Sequence, residues 1–178
     1  MLTINLLGQQ LQFNSLTVND GLSQNDVSCV MHDSEGFIWI GTYDGLNRFD
    51  GYDIESFFHD NKDEASLSSN RIKCLLEEDK KRIWIGTDGY GLNYYDLKTG
   101  RITRVTTPNN YKIINGIKKN KKGDIIVATN HGLLKVVKKD AGFSVEVLQS
   151  ALTGFRVRCF EILKNGEEVY ITDKGIWV

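Results

Sequence analysis

At 178 residues and a formal net charge of −1, the chain is long enough for one ordinary domain with its own core. Its charge balance asks for no nucleic-acid or anionic-membrane partner. No stretch approaches the roughly 18 consecutive apolar residues of a spanning helix, so no direct membrane contact is expected of it.

In chain order, Leu2-Thr3-Ile4-Asn5-Leu6-Leu7-Gly8 is apolar and too short to span a membrane. Residues 1–10 read as a signal-peptide remnant, as a tag-proximal segment, or as an ordinary apolar strand. Residues 11–18 precede the first repeat and read as an outer strand that closes the last blade.

From there the chain repeats itself. Phe37-Ile38-Trp39-Ile40-Gly41-Thr42 returns as Arg82-Ile83-Trp84-Ile85-Gly86-Thr87, and in worn form as Ile125 to Thr129 and Glu168 to Thr172. From Trp39 to Trp84, Ile126 and Val169 the spacings are 45, 42 and 43 residues. A period in the low forties, built of short strands, is that of a β-propeller blade. One proline, 17 glycines and 10% aromatics suit that architecture.

The first blade covers 27–58: an inner strand Val27 to His32, a turn Asp33-Ser34-Glu35-Gly36, then strands Phe37 to Thr42, Gly45 to Phe49 and Ile54 to Phe58. The second covers 71–106, the third 113–148, and the fourth, 157–178, lacks an outer strand. The fold class expected is all-β, with about four blades of four antiparallel strands. A closed ring of four satisfies this inventory. So does a fragment of a larger, seven-bladed propeller, the reading adopted here. Open faces on blades 1 and 4 then need the remaining blades of the same protein or a second copy, a homodimer, to cover them.

Cys29, Cys74 and Cys159 fall, with Gly116, on one position of successive blades. A small side chain is expected there, and buried free cysteine behaves as a small hydrophobe; an odd count argues against a disulfide framework. Trp39 and Trp84, flanked by isoleucines in equivalent strands, read as inter-blade core more than as sugar-stacking platforms. Gly41 and Gly86, with Gly45 and Gly91, mark tight turns or close approach. These four tryptophan and glycine positions of the repeat (Trp39, Gly41, Trp84, Gly86) are structural.

The loops after each second strand share a face with those leading from one blade to the next. Tyr43, Asp44, Arg71, Asp88, Tyr90, Tyr111, His131 and Arg156 lie on these loops. Aromatic and polar groups on one rim suit an oligosaccharide or anionic sugar, so these eight are the candidate ligand-binding residues. His32, His59 and His131 fall on different radii or faces, and no metal or other cofactor is expected. The basic run Lys118-Lys119-Asn120-Lys121-Lys122 reads as a solvated turn, since a nucleic-acid surface needs basic charge spread across several blades.

Asp20-Gly21-Leu22-Ser23-Gln24-Asn25, then Gly36-Phe37-Ile38-Trp39-Ile40-Gly41-Thr42, then Asp44-Gly45-Leu46-Asn47-Arg48-Phe49-Asp50-Gly51, closely resembles the two-component regulator propeller repeats of hybrid two-component sensors. Blade 2 repeats it with Ile83-Trp84-Ile85-Gly86-Thr87 and Gly91-Leu92-Asn93; blades 3 and 4 depart from it, with Ile126 and Val169 in place of tryptophan. The resemblance implies a periplasmic sensor with paired propellers, a β-sandwich, one membrane span, a histidine kinase and a response regulator. It further implies that polysaccharide breakdown products are the signal. This chain resembles the start of the first propeller, so a glycan-derived ligand is the partner expected and catalysis is not. A propeller lyase or hydrolase, or a scaffolding propeller, is the alternative.

Overall fold

The computed structural model describes residues 14–140 and 142–178. Strands β1 (Val27–His32), β2 (Ile38–Thr42), β3 (Gly45–Phe49) and β4 (Ile54–Phe57) form one sheet in that order. The second sheet holds β5 (Ile72–Glu78), β6 (Arg82–Thr87), β7 (Leu92–Asp96) and β8 (Arg101–Val105). The third holds β9 (Ile114–Lys119), β10 (Ile125–Thr129), β11 (Gly132–Lys139) and β12 (Gly142–Leu148). β13 (Val157–Ile162), β14 (Glu168–Thr172) and β15 (Gly175–Trp177) make a three-stranded fourth. Pairing is antiparallel throughout, and inner strands β1, β5, β9 and β13 pack side by side in that order. These are propeller blades.

Residues 1–10, and 11–13 of the expected closing strand, lie outside the described residues. The rest of that segment forms no strand: Asn14 to Thr17 are in none, and Val18–Asp20 make a 3-10 turn. Local side chains take the donors a ladder would use. Asp20 Oδ2 accepts the Thr17 N–H at 2.8 Å, and Asn25 Oδ1 accepts that of Val18 at 3.0 Å.

One hydrogen bond recurs in all four blades and explains the last residue of the repeat. Thr42, Thr87, Thr129 and Thr172 each donate a hydroxyl to the carbonyl of the glycine at or just before the start of the third strand, at 3.0, 2.7, 2.8 and 3.0 Å. All four threonines are buried; in the first three blades the glycine is buried too, so the hydroxyl satisfies a carbonyl withdrawn from water, while Gly175 is exposed. Gly45, the first residue of β3, and Gly91, just before β7, have φ of +125° and +85°, where a side chain would be strained.

The core lies between blades. Trp39, Leu46, Ile72, Ile83, Ile85 and Tyr95 fill the first seam; Trp84, Leu92, Ile114, Val127 and Leu134 the second; Ile126, Ala128, Val157 and Phe160 the third. Trp39 and Trp84 are 0% exposed, so neither ring meets solvent. Each indole N–H still needs an acceptor. Trp39 donates to Asp33 Oδ2 at 2.7 Å, and Trp84 to Glu78 Oε2 at 2.9 Å. Both acceptors stand six residues before their tryptophan, so the position is kept while the residue changes from aspartate to glutamate. The turns nevertheless differ: Asp79 and Lys80 carry that of blade 2 with φ of +46° and +57°, where blade 1 uses Gly36 at +98°.

The asparagine of Gly-Leu-Asn pins the loop entering its own blade. Buried Asn47 accepts the Ser23 N–H at 3.0 Å and donates to Ser23 Oγ at 2.8 Å. Asn93 does the same for Ser68, at 3.0 and 2.9 Å. Leu22 and Leu67, beside those serines, are buried.

Candidate functional site

The loop face is built by backbone bonds that repeat from blade to blade. The residue before each inner strand offers its carbonyl to the residue after each second strand: Asp26 to the Tyr43 N–H at 3.2 Å, Arg71 to Asp88 at 2.9 Å, Ile113 to Asn130 at 3.2 Å, Arg156 to Asp173 at 3.1 Å. These bonds set the two classes of loop edge to edge. Neighbouring blades are joined by a second pair of bonds, Gly45 N–H to the Asn70 carbonyl and Gly91 N–H to the Lys112 carbonyl, both at 2.8 Å, so side chains of adjacent blades meet above them.

The fullest meeting is at blades 1 and 2. The Arg71 guanidinium stands 5.6 Å from the centre of the Tyr43 ring and 3.7 Å from Asp88 Oδ2. Tyr43 is 47% exposed and the Arg71 side chain 59%, so an aromatic face and a cation are offered to solvent together. Asp44 is engaged one step away, accepting from Asn70 Nδ2 at 2.9 Å, while the Asn70 carbonyl holds the Gly45 N–H at 2.8 Å. The remaining candidates separate. Tyr90 is exposed. Tyr111 is buried in the seam between blades 2 and 3 and meets His131 edge-on at 5.1 Å, so its ring is core and the rim there is His131. Arg156 is exposed and takes Asp173 Oδ1 on its backbone N–H at 3.2 Å.

Two contributors were invisible to spacing. Arg104, on outer strand β8, donates to the Ser66 carbonyl at 2.9 Å, the Asp63 carbonyl at 2.9 Å, the Asp60 carbonyl at 3.1 Å and Ser66 Oγ at 2.7 Å. It ties down the long loop that delivers Asn70 and Arg71. The second is a β-bulge at the start of each inner strand, seen as a register shift at Val27/Cys29, Ile72/Cys74 and Val157/Cys159, and opposite Ala128/Thr129 in blade 3. The residue it inserts reaches sideways. Ser28 Oγ donates to the Ile72 carbonyl at 2.7 Å, Lys73 Nζ to Asn115 Oδ1 at 2.8 Å, and Asn115 Nδ2 to the Val157 carbonyl at 2.8 Å. The bulge thus stitches inner strands together, with Arg158 at the same place in blade 4.

Along the inner strands runs a groove of about 630 Å³, walled by Leu76, Gly116, Cys159, Phe160 and Ile171, with Lys118 and Glu161 on its rim. Glu161 lies on β13, two residues beyond Cys159. Lys118 Nζ holds it at 2.6 Å, and that hydrogen bond keeps its pKa below the ordinary glutamate value. Lys119 pairs with Asp79 on the other side at 2.7 Å. The basic run therefore opens with two lysines that bridge blade 3 to both neighbours, where a wholly solvated turn was expected. Burial pushes the Cys29 and Cys74 thiols above their ordinary pKa. The three cysteines are free, and no cluster of three metal-ligating side chains exists among the described residues.

Comparison with known proteins follows the same lines. The family model for the two-component regulator propeller matches residues 21–44 and 66–89. Each match runs from the Leu-Ser segment that asparagine pins to the loop after the threonine. A histidine kinase of Formosa agariphila, kinase P4, is 42% identical over 55 residues, which are 31% of this chain and 4% of that protein. The extracellular domain assigned to a hybrid two-component system of B. thetaiotaomicron superposes with a TM-score of 0.70 at 22% identity, over 88% of this chain and 22% of its own length. A second such domain from that organism gives 0.68 at 20% identity, over 92% and 30%. Virginiamycin B lyase of Staphylococcus aureus gives 0.59 at 15% identity, over 98% and 60%. At these identities the structural likenesses establish the propeller fold. The chain spans less than a third of both extracellular domains. The segments 21–44 and 66–89, in its first two blades, match the two-component regulator propeller repeat.

Proposed function

We propose that this chain is a ligand-sensing part of the periplasmic region of a hybrid two-component system, and that its loop face takes an oligosaccharide released from a polysaccharide. The observation that carries the reading is the contact set of Tyr43, Arg71 and Asp88, held by the two matched repeats. An exposed ring suits the C–H face of a pyranose. The guanidinium beside it, already balanced by Asp88, suits a hydroxyl or carboxylate of the same sugar. Output lies in a kinase outside this chain. Ligand reaches it by binding one packing of the propeller more tightly than another, and shifts the equilibrium by that difference alone. The match to a histidine kinase and the likeness to extracellular domains of two-component systems support the assignment.

The test is titration calorimetry of the chain against neutral and uronate-containing oligosaccharides, repeated with Arg71→Ala and Tyr43→Ala. Each substitution is expected to weaken the best ligand at least about tenfold, or ~1.4 kcal/mol. If no oligosaccharide binds, or if both variants bind as the parent does, this face is not a sugar site.

A further inference from the structure

The three seams between successive blades are built on one set of positions. In the first, Cys29 Sγ and Ile72 Cγ2 lie 2.6 and 2.7 Å from where a Cβ on Gly41 would stand. In the second, Cys74 Sγ and Ile114 Cγ2 lie 2.5 and 2.6 Å from that point on Gly86. Glycine there lets the leading residue of the next inner strand, Ile72 or Ile114, reach the strand surface, and both are 0% exposed. The third seam redistributes the same volume. Ala128 replaces the glycine, Gly116 replaces the cysteine, the leading residue shortens to Val157, and the Phe160 ring moves to 3.6 Å from the Cβ point of Gly116. Close-packed interiors require such compensation, because added methylenes cannot be absorbed locally.

In blade 4 the register pairs Cys159 with Ile171, as it pairs Cys29 with Gly41 and Cys74 with Gly86. Here the glycine has become the largest residue of the series while the cysteine is kept. Ile171 is 41% exposed and Ile176 71%, whereas Leu46 and Leu92, in the place of Ile176, are 0% exposed. At the other end, Val27 is 45% and Val30 63% exposed. Both ends therefore present faces that continue the interior of the three seams.

We infer that the open face of blade 4 receives another propeller blade, one whose inner strand begins with glycine or alanine, and that it rejects the open face of blade 1. Bringing Val27 onto it would set an isoleucine, a cysteine and a valine where the first two seams hold a cysteine, a glycine and an isoleucine. Ile171 carries the volume that Ile72 and Ile114 supply from the opposite side, so the incoming blade must leave that place empty. The extracellular domains with this fold are more than three times the length this chain covers in them, at 22% and 30%, which leaves ample chain for such a blade. Selection of this kind comes from a built-in clash as much as from attraction. The inference is independent of the ligand proposal.

A second copy of the chain can serve as the probe. Val27→Gly gives blade 1 the empty leading position required. Ile171→Gly gives blade 4 the form of the first two seams, which accept a β-branched leading residue. By sedimentation, the parent chain is expected to stay monomeric as its concentration rises. Each variant is expected to associate head to tail, raising the weight-average mass on the order of twofold or more. Association through this face also shields Cys159, which is exposed in the single chain, from Ellman's reagent. Glycine is native at the equivalent of 171 in blades 1 and 2; circular dichroism confirms folding, and Ile171→Ala serves if the glycine variant melts early. Association of the parent with loss of Cys159 reactivity overturns the inference. So do folded variants that stay monomeric, or that associate with Cys159 still reactive.

Discussion

Replacing Gly86 by alanine tests whether the blades are as closely seated as the seam geometry requires. The new methyl would stand 2.5 Å from Cys74 Sγ, 2.6 Å from Ile114 Cγ2 and 2.9 Å from Ile114 Cβ. Carbon contacts are comfortable at about 3.5–4.0 Å, so blades 2 and 3 would have to part by roughly an ångström. Overpacking of this kind costs about 1–3 kcal/mol, which lowers Tm by some 2–4 °C per kcal/mol in a chain of this size. Two further variants make the test specific. Cys74→Ala removes the nearest clashing atom, so the double variant should recover part of the loss, with a coupling of at least about 0.5 kcal/mol. Gly116→Ala should be tolerated, because its methyl would meet Phe160 at 3.6 Å and Ala128 at 3.9 Å, ordinary contact distances. The assay is urea unfolding followed by the fluorescence of buried Trp39 and Trp84. A Gly86→Ala variant as stable as the parent, or equal losses at 86 and 116, would refute the account of the seams.

Two other perturbations follow from the same structure. Asn93→Leu, which copies Leu134 of blade 3, leaves the Ser68 N–H and hydroxyl without their partner and should cost about 1–3 kcal/mol, read as a lower urea midpoint; no change would mean that the loop is held elsewhere. Asp79 and Glu161 are both held below the ordinary carboxylate pKa, chiefly by hydrogen bonds from Lys119 and Lys118. Their contribution is complete above the unfolded carboxylate value of about 4 and is lost as pH falls through the depressed values. The acid limb of a stability–pH profile should therefore flatten in the double variant Asp79→Asn, Glu161→Gln, and an unchanged limb would show that these pairs contribute nothing.

Much of the fold was legible because one solution is used several times over. Trp-Ile-Gly-Thr repeats since each of its residues meets the same need in each blade: an indole for the seam, a glycine for the approaching strand, a threonine for the turn carbonyl. Where the need changes, the pattern wears. Blade 3 replaces the tryptophan with Ile126 and fills its seam with Phe160. The candidate face was legible only in part. Arg71 meets Asp88 because the carbonyl of the residue before each inner strand holds the residue after each second strand, which the alignment of blades implies. Tyr43 joins them because the Asn70 carbonyl takes the Gly45 N–H across the seam. Tyr111 looked like a rim residue, but a loop position says nothing about which way a ring turns, and this one turns inward. Arg104 left no signal, since an outer-strand arginine becomes an organiser only when the neighbouring loop folds back over it.

The sequence by itself determined the blade period, the four-stranded plan, the identity of the interior and the loops that share a face. Those properties depend on short-range alternation and on recurrence, and both survive in one dimension. Only the tertiary structure decided what lies across each seam. Ser28 finds the Ile72 carbonyl, Lys118 finds Glu161, and Gly86 lies against Ile114, each pair drawn from different blades. Such contacts depend on how closely one blade settles on the next, and that spacing is set by side-chain volume summed over both faces.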